Sequence, residues 1–438
     1  MSGTGHLLLA GGGHSHALLL RHWQMHPQKR PGSWISLVSR HATALYSGLV
    51  PALIAGDTGA ESCRINLQYL CEQAQVSFLE AEIEGVDPGG RLLLLKDRPP
   101  LHWDRLSLDV GATSRPSECD EPVVVPIKPL EPFLRWLLAE DQRWPTPSSR
   151  RQAQAVTVLG GGLAGVEVAL ALRQRWPERP LRLLARPGTP SRPLRRCLQR
   201  AQVALEPSTS APRRGGRPVI ACTGSTAPGW LARSGLPVAA NGRLLTEPTL
   251  QVQGHPAILA SGDCAVIAAR PRAPSGVWAV RAAPVLARNL LRLDQPAKGA
   301  LQPWRPQARA LQLLGAGGAS RGLSKGRREA LALWGPLHLG PHPWLWRWKQ
   351  QLDCSFMAGF QRAGAMAPNS RAASQDTMAC RGCAAKLTAA SLRRALRDAG
   401  LESAAEDAHP VGHDPTWLQS VDGFPALLAD PWRNARLT

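Results

Sequence analysis

The stretch AVTVLGGGLAGVEVALALRQRW, Ala155 to Trp176, decides the fold. Ala155 to Leu159 reads as a short strand. Gly160, Gly162 and Gly165 fill the pattern G-x-G-x-x-G, and Val166 to Trp176 is an apolar-faced helix. LRLLAR, Leu181 to Arg186, supplies the next strand. A strand, a glycine turn and a helix put free backbone N–H groups and a dipole of about half a charge under a pyrophosphate. Glycine is needed because a side chain would hold the phosphate off the backbone. The spacing therefore predicts a dinucleotide site. Where an acidic residue would hold a ribose 2′-hydroxyl, Ala185 and Arg186 stand instead. Arg186 either accepts a 2′-phosphate, favouring NADPH, or is a solvated arginine in an arginine-rich chain.

The same pattern occurs near the start. In HLLLAGGGHSHALLLRHW, from His6, Leu7 to Ala10 read as a buried strand, Gly11 to Gly13 as the turn and Ser15 to Trp23 as the helix. His16 replaces the third glycine. Taken alone, this segment is equally a plain strand–turn–helix corner. HPAILASGDCAVI, His255 to Ile267, adds Gly262 and Asp263 after an apolar strand. An aspartate there can hydrogen-bond a ribityl hydroxyl; taken alone, it is a turn residue.

The order GGGHSH, YSGLVPALIAG (Tyr46 to Gly56), LSLDVGA (Leu106 to Ala112), GGGLAGVE, ACTG (Ala221 to Gly224) and SGDCAV resembles the flavin-dependent pyridine-nucleotide oxidoreductases. The branch it is most similar to is the type II NADH dehydrogenases. The resemblance spans roughly residues 5–361. It implies an α/β fold of two Rossmann-like domains, the second inserted in the first. The FAD domain would take 1–112 and 236–361, with a C-terminal helix, and the NAD(P)H domain 113–235. Carried over by position, Gly11, Gly13 and His16 lie near the FAD pyrophosphate, and Ser39 and Arg40 near its adenosine. Tyr46, Ser47, Gly48 and Pro51 lie near the isoalloxazine, with Asp263 on the ribityl chain. Gly111 and Gly262 belong to the FAD segments and Gly224 to the nicotinamide segment. Gly160, Gly162, Gly165 and Glu167 lie along NADH or NADPH, with Glu167 a catalytic candidate. The chemistry implied is hydride transfer from NAD(P)H through flavin to a small acceptor. No CxxC occurs before residue 380, and Cys63 and Cys71 are eight apart, which argues against a redox disulfide and for a quinone or similar acceptor. Ser39 and Arg40 replace the usual acidic ribose contact, and LEPSTSAPRRGGR, Leu205 to Arg217, is shorter than the family's strand meander.

The chain has 438 residues and a formal net charge of +20. Only seven of its 52 basic residues are lysine, and the arginines are spread throughout, which reads as compositional bias and not as nucleic-acid binding. No long apolar run and no signal segment are evident, so a cytoplasmic protein is expected. Nine scattered cysteines fit a reducing compartment. In HPWLWRWKQQLDCSFMAGF, His342 to Phe360, Leu345, Trp348, Leu352, Phe356 and Phe360 recur at helical spacing, with Lys349 facing elsewhere. That stripe either lies in a membrane interface, on the inner face of the membrane, or packs on the FAD domain. A homodimer is a further expectation.

Residues 362–377 read as a linker. Beyond it, MACRGCAAKL (Met378 to Leu387) holds Cys380 and Cys383 at CxxC spacing. Zinc would need His409 and His413, but HPVGH does not place them on one helix face. A thioredoxin-like pair would need a preceding strand, and ASQDTMA is not an obvious one. The remaining reading has Cys383 as nucleophile with Lys386 lowering its pKa. RGCAAKLTAASLRRAL resembles the start of selenide, water dikinase, AEDA (Ala405 to Ala408) its metal-binding acidic segment, and SVDGFPALLADPW (Ser420 to Trp432) the next one. The resemblance makes Cys383 and Lys386 catalytic candidates and Asp407 and Asp422 metal-ligand candidates. It implies a truncated small α/β fragment over 378–438, with Mg2+ and ATP only if that fragment functions. It also adds a selenium compound as a candidate acceptor. Rival readings are a kinase fusion whose flavoprotein is accessory, and a degenerate flavoprotein without turnover.

Overall fold

A computed structural model describes residues 5–115, 124–143, 155–208, 218–316, 328–365, 417–419 and 425–427. The chain forms two compact units, Met1–Met366 and Ala367–Thr438. In the second unit, strand Trp417–Gln419 pairs antiparallel with Pro425–Leu427. Cys383, Lys386, Asp407 and Asp422 lie outside the described residues.

The first unit is mixed α/β with two Rossmann-like sheets, the larger mostly parallel and the smaller wholly so. The larger has eight strands, in the order Ala265–Ile267, Leu244–Thr246, Gln251–Val252, His255–Ala260, Arg105–Leu108, His6–Ala10, Trp34–Ser39 and Ser77–Glu80. From His255–Ala260 to Ser77–Glu80 every pairing is parallel. Leu7, Leu8, Leu9 and Ala10 are all buried, as expected of a central strand covered on both faces. Helices His14–Met25 and Gly276–Asp294 cover one face; Trp23, Leu286 and Leu290 share that core. An antiparallel sheet of Ile83–Asp87, Leu92–Leu95 and Arg98–His102 stands on the crossover between Ser77–Glu80 and Arg105–Leu108.

The smaller sheet has five parallel strands, in the order Val124–Pro126, Val219–Ala221, Val156–Leu159, Leu181–Ala185 and Ala204–Pro207. All of it comes from chain lying between strands Arg105–Leu108 and Leu244–Thr246 of the larger sheet, so the second sheet is inserted in the first. Arg175 ties the two halves. Its guanidinium pairs with Asp141 and donates to the carbonyls of Leu53 (3.3 Å) and Ile54 (3.1 Å).

After the sheets come a three-stranded antiparallel sheet, Gln312–Gly315, Ala330–Trp334 and Leu337–His342, and the helix Pro343–Ala365. The buried face of the helix follows the expected stripe only in part. Leu345, Lys349, Asp353, Met357 and Phe360 are buried, whereas Trp348 and Leu352 are 37% and 47% exposed. The reason is polar: Lys349 and Asp353 satisfy one another and backbone or hydroxyl groups beneath the helix, which offsets their desolvation. No helix among the described residues is long and apolar enough to cross a membrane.

Gly165 shows why the glycine pattern is structural as well as functional. A Cβ there would drive into the Gly160 carbonyl, because the helix crosses its own entry turn at backbone contact. Gly165→Ala is expected to destabilise the protein by about 1–3 kcal/mol. Chemical denaturation of the two proteins checks this; an unchanged midpoint would show that the helix can slide away freely.

Candidate functional site

The two glycine turns superpose residue by residue in their contacts. Gly11 has φ +98° and Gly160 φ +128°, conformations that favour glycine. The N–H of Gly11 donates to Val38 O, and that of Gly160 to Leu184 O, both at 2.8 Å. A Cβ on Gly11 would strike the Asp109 carbonyl, and one on Gly160 the Cys222 carbonyl. The N–H of Asp109 donates to Ala10 O at 2.9 Å, and that of Cys222 to Leu159 O at 2.8 Å. The middle glycines match too: Gly12 abuts Ser39, and Gly161 abuts Ala185 and Thr189. LDVG, Leu108 to Gly111, and ACTG, Ala221 to Gly224, are thus the same segment in two copies.

Two of the differences between the copies bear on the turn itself. His16 stands where Gly165 stands. Its imidazole is fully buried, and its pKa is pushed down to about 4 by burial. Nδ1–H donates to Gly11 O at 2.6 Å, which leaves Nε2 to accept the Ser107 hydroxyl at 2.8 Å. The tautomer follows because a carbonyl can only accept. His16 therefore braces the turn from the core side. The second difference is Asp109 against Cys222. The Cys222 thiol is neutral, pushed up to about 12 by burial, and a Cβ on Gly162 would meet nothing within 4 Å. In the first copy, the Asp109 carboxylate fills the space beside Gly13. Its Oδ2 accepts from the N–H of Ser15 at 2.8 Å and of His16 at 3.2 Å. Burial pushes this carboxyl up to about 7 against those two bonds, and Asp263 adds to the rise.

Asp109 is the hub of the first group. Gly262, at φ +70°, packs its Cα against the Asp109 carboxylate. Lys128 Nζ donates to Asp263 Oδ2 at 2.9 Å, whereas Asp263 Oδ1 is buried with no hydrogen-bond partner among the described residues. His14 is lowered by burial, with Asp263 opposing and Lys128 reinforcing the shift. The Ser47 N–H donates to His14 Nε2 at 3.4 Å.

A second group lies beneath the helix Pro343–Ala365. Tyr46 donates its hydroxyl to Asp353 Oδ1 at 3.0 Å and stacks on Phe356 with centroids 4.4 Å apart. Lys349 Nζ donates to Asp353 Oδ2 at 2.8 Å and to Gly48 O at 2.9 Å. Glu167 Oε1 accepts the Gly315 N–H at 3.3 Å; burial raises this carboxyl, and the Lys349 charge opposes the rise. Pro51 sits in the first turn of the short helix Val50–Ala55.

The site residues expected from sequence thus fall into three places. Gly11, Gly13, His16, Gly262 and Asp263 gather around Asp109. Tyr46, Gly48 and Glu167 meet the Lys349–Asp353 pair, with Ser47 exposed at its edge. Gly160, Gly162 and Gly165 line the second turn, and Gly111 and Gly224, at φ +69° and +101°, each face open space. Ser39 is buried under Gly12, and Arg40 is drawn into an exposed ion pair with Glu82 at 2.7 Å. Cys63 and Cys71 are free thiols. Among the described residues no group of three or more His, Cys, Asp or Glu could hold a metal.

No protein-family model matches the chain, and no curated protein does. Solved structures do. NDH2 from Plasmodium falciparum in complex with NADH is 14% identical with a TM-score of 0.62, covering 82% of this chain and 98% of that one. The sulfide:quinone oxidoreductase of Aquifex aeolicus is 14% identical with a TM-score of 0.61, covering 82% and 92%. Reduced CoADR-RHD of Bacillus anthracis is 16% identical with a TM-score of 0.56; the match covers 72% of this chain and 62% of that one. At these identities the likeness shows a shared fold.

Asp109, Lys128, Lys349 and Asp353 were not singled out by the sequence. Asp109 had a usable signal, since aligning LDVG on ACTG puts an acid opposite a cysteine. Lys349 and Asp353 had the i,i+4 spacing of a pair, but nothing in the pattern says that such a pair is buried.

Gly162 has an ordinary φ of −74° and empty space before it, so neither backbone nor packing requires glycine there. Gly162→Ala is expected to leave the melting temperature unchanged and to weaken NAD(P)H binding at least about tenfold, the size of a lost close approach. Calorimetric titration checks it; equal affinity would mean that nothing approaches this turn.

Proposed function

We propose that the chain is an FAD-dependent NAD(P)H oxidoreductase that delivers electrons to a small acceptor, a quinone or a selenium compound. One observation carries the reading: the same strand–glycine–helix turn, built twice with matching contacts, on two Rossmann-like sheets. The residues present fit the two nucleotides. Gly111, Gly162 and Gly224 each leave room that a Cβ would fill, and Asp263 Oδ1 is a buried acceptor awaiting a donor such as a ribityl hydroxyl. When bound, FAD supplies the hydride chemistry.

The protein's own residues hold and protonate. Gly11 to Gly13 would hold the FAD pyrophosphate, and Asp263 its ribityl chain. Tyr46 and Gly48, latched by Asp353 and Lys349, form a rigid wall on the ring side. Gly160, Gly162 and Gly165 would receive the nicotinamide nucleotide. Glu167 comes from the second sheet's helix to the Lys349–Asp353 pair, so it sits where the two halves meet. Burial raises its carboxyl, which suits it to pass a proton to an acceptor gaining electrons. Lys349, hydrogen-bonded to Asp353 and Gly48, lies within electrostatic reach of Glu167. The short Leu205 to Arg217 segment includes 209–217, outside the described residues.

The purified full-length protein is expected to show flavin absorbance that bleaches on anaerobic addition of NADH or NADPH and returns with a soluble quinone. Bound flavin that neither nucleotide bleaches would reduce the protein to a binding module. Glu167→Gln should leave bleaching intact and slow the return about a hundredfold, the usual scale of a lost general acid. In the wild type the return should slow as pH rises through the raised pKa of Glu167, because the proton is lost there; a pH-independent return would remove Glu167 from the reaction.

A further inference from the structure

We propose that Asp109 couples FAD binding to proton uptake, so that the chain takes up a proton from solvent as the pyrophosphate settles on the helix that starts at His14. This rests on the flavin reading above and adds a control that the second nucleotide site lacks.

The internal repeat provides the comparison. The two turns agree in their strand, turn and entry contacts, yet a carboxylate stands in one where a neutral thiol stands in the other. The Asp109 carboxylate already engages the N–H groups of Ser15 and His16, which a pyrophosphate at this helix start would also seek. A second carboxylate, Asp263, lies in the same cluster. Two phosphate charges brought beside two carboxylates would meet as compensating cations Lys128, paired with Asp263, and Arg243, which donates to the Asp263 carbonyl. The cheapest relief is to neutralise the group with the least solvent, and Asp109 is 2% exposed.

Burial shifts the neighbouring histidines and thiol away from the range of Asp109. On its helix neighbour, His16 is neutral with its pKa down to about 4, and His14 is lowered by burial. On the segment after Ser261, the Cys264 thiol is pushed up to about 12. Arg243 reaches from the adjoining strand to the carbonyls of Asp263 (3.0 Å) and Ala265; burial lowers its pKa, and Asp263 and Cys264 oppose the shift. Ser107 contributes a hydroxyl only. Asp109, at about 7 in the free protein, is the group positioned to change. The sign follows: below that value the carboxyl is neutral in both states and affinity is flat. Above it, binding must add a proton, and affinity falls by up to about tenfold per pH unit.

The test titrates FAD into full-length apoprotein from pH 6 to pH 9, following flavin fluorescence. Calorimetry at pH 8 in two buffers of different ionisation enthalpy counts protons on the unaltered protein. The expected result is an affinity that falls above pH 7, uptake approaching one proton per FAD, and loss of both in Asp109→Asn, with His14→Gln retaining them. The calorimetric count needs no variant, so a poorly folding Asp109→Asn does not spare the proposal. Tight binding with no pH dependence and no proton uptake would overturn the coupling and leave the flavin reading standing. A slope that persists in Asp109→Asn but vanishes in His14→Gln would overturn it as well. Absence of FAD uptake at every pH would remove both.

Discussion

The fold depends on a backbone-to-backbone approach. Gly11 passes so close to the Asp109 carbonyl, and Gly160 so close to that of Cys222, that no side chain fits at either turn. This contact pins the helix start over the end of the neighbouring parallel strand. It sets the helix start at the carboxyl ends of the strands, the end at which ligands of open α/β sheets bind. The sheets on either side are ordinary apolar layers, and many sequences would build them. The turns admit few. Stability and ligand geometry therefore meet at the same glycines, though not at each one equally: Gly165 is fixed by packing, and Gly162 by nothing that the protein itself supplies.

A second constraint is electrostatic. The chain buries several ionisable groups near its clefts, and each is compensated differently. His16 is neutralised and bridges a carbonyl and a hydroxyl. Lys349 and Asp353 keep a pair whose remaining valences are used by Gly48 and Tyr46. Asp109 has the Ser15 and His16 N–H groups and the Ser15 side chain, and Asp263 has one lysine and an unused oxygen. The least compensated carboxylates are thus those around the first turn. A buried polar atom without a partner costs free energy, and it persists where a bound molecule repays it.

Much of this was legible in the sequence. The glycine spacing and the apolar runs on either side of it pointed to both strand–turn–helix units, and the insertion of one sheet in the other was implied by the family resemblance. The C-terminal helix was legible as a helix but only in part in its orientation. Trp348 and Leu352 fit an apolar stripe, yet they are exposed, while Lys349 and Asp353 are buried. Hydropathy ranks single residues. It cannot see that a lysine and an aspartate four apart neutralise one another and find a carbonyl and a phenol waiting on a loop 300 residues earlier. Asp109 escaped for a related reason: as a letter it is a turn aspartate, and only its burial against Ser15 and His16 makes it unusual.

The helix Pro343–Ala365 carries a mechanical implication. Its 23 residues run about 35 Å as one rod. Trp344 and Trp348 stand exposed near its beginning, and Lys349 and Asp353 grip Gly48 and Tyr46 one to two turns further on. No joint separates the exposed rings from the grip. A load on those tryptophans would be carried, through a stiff rod, to the loop that holds Tyr46 and Gly48.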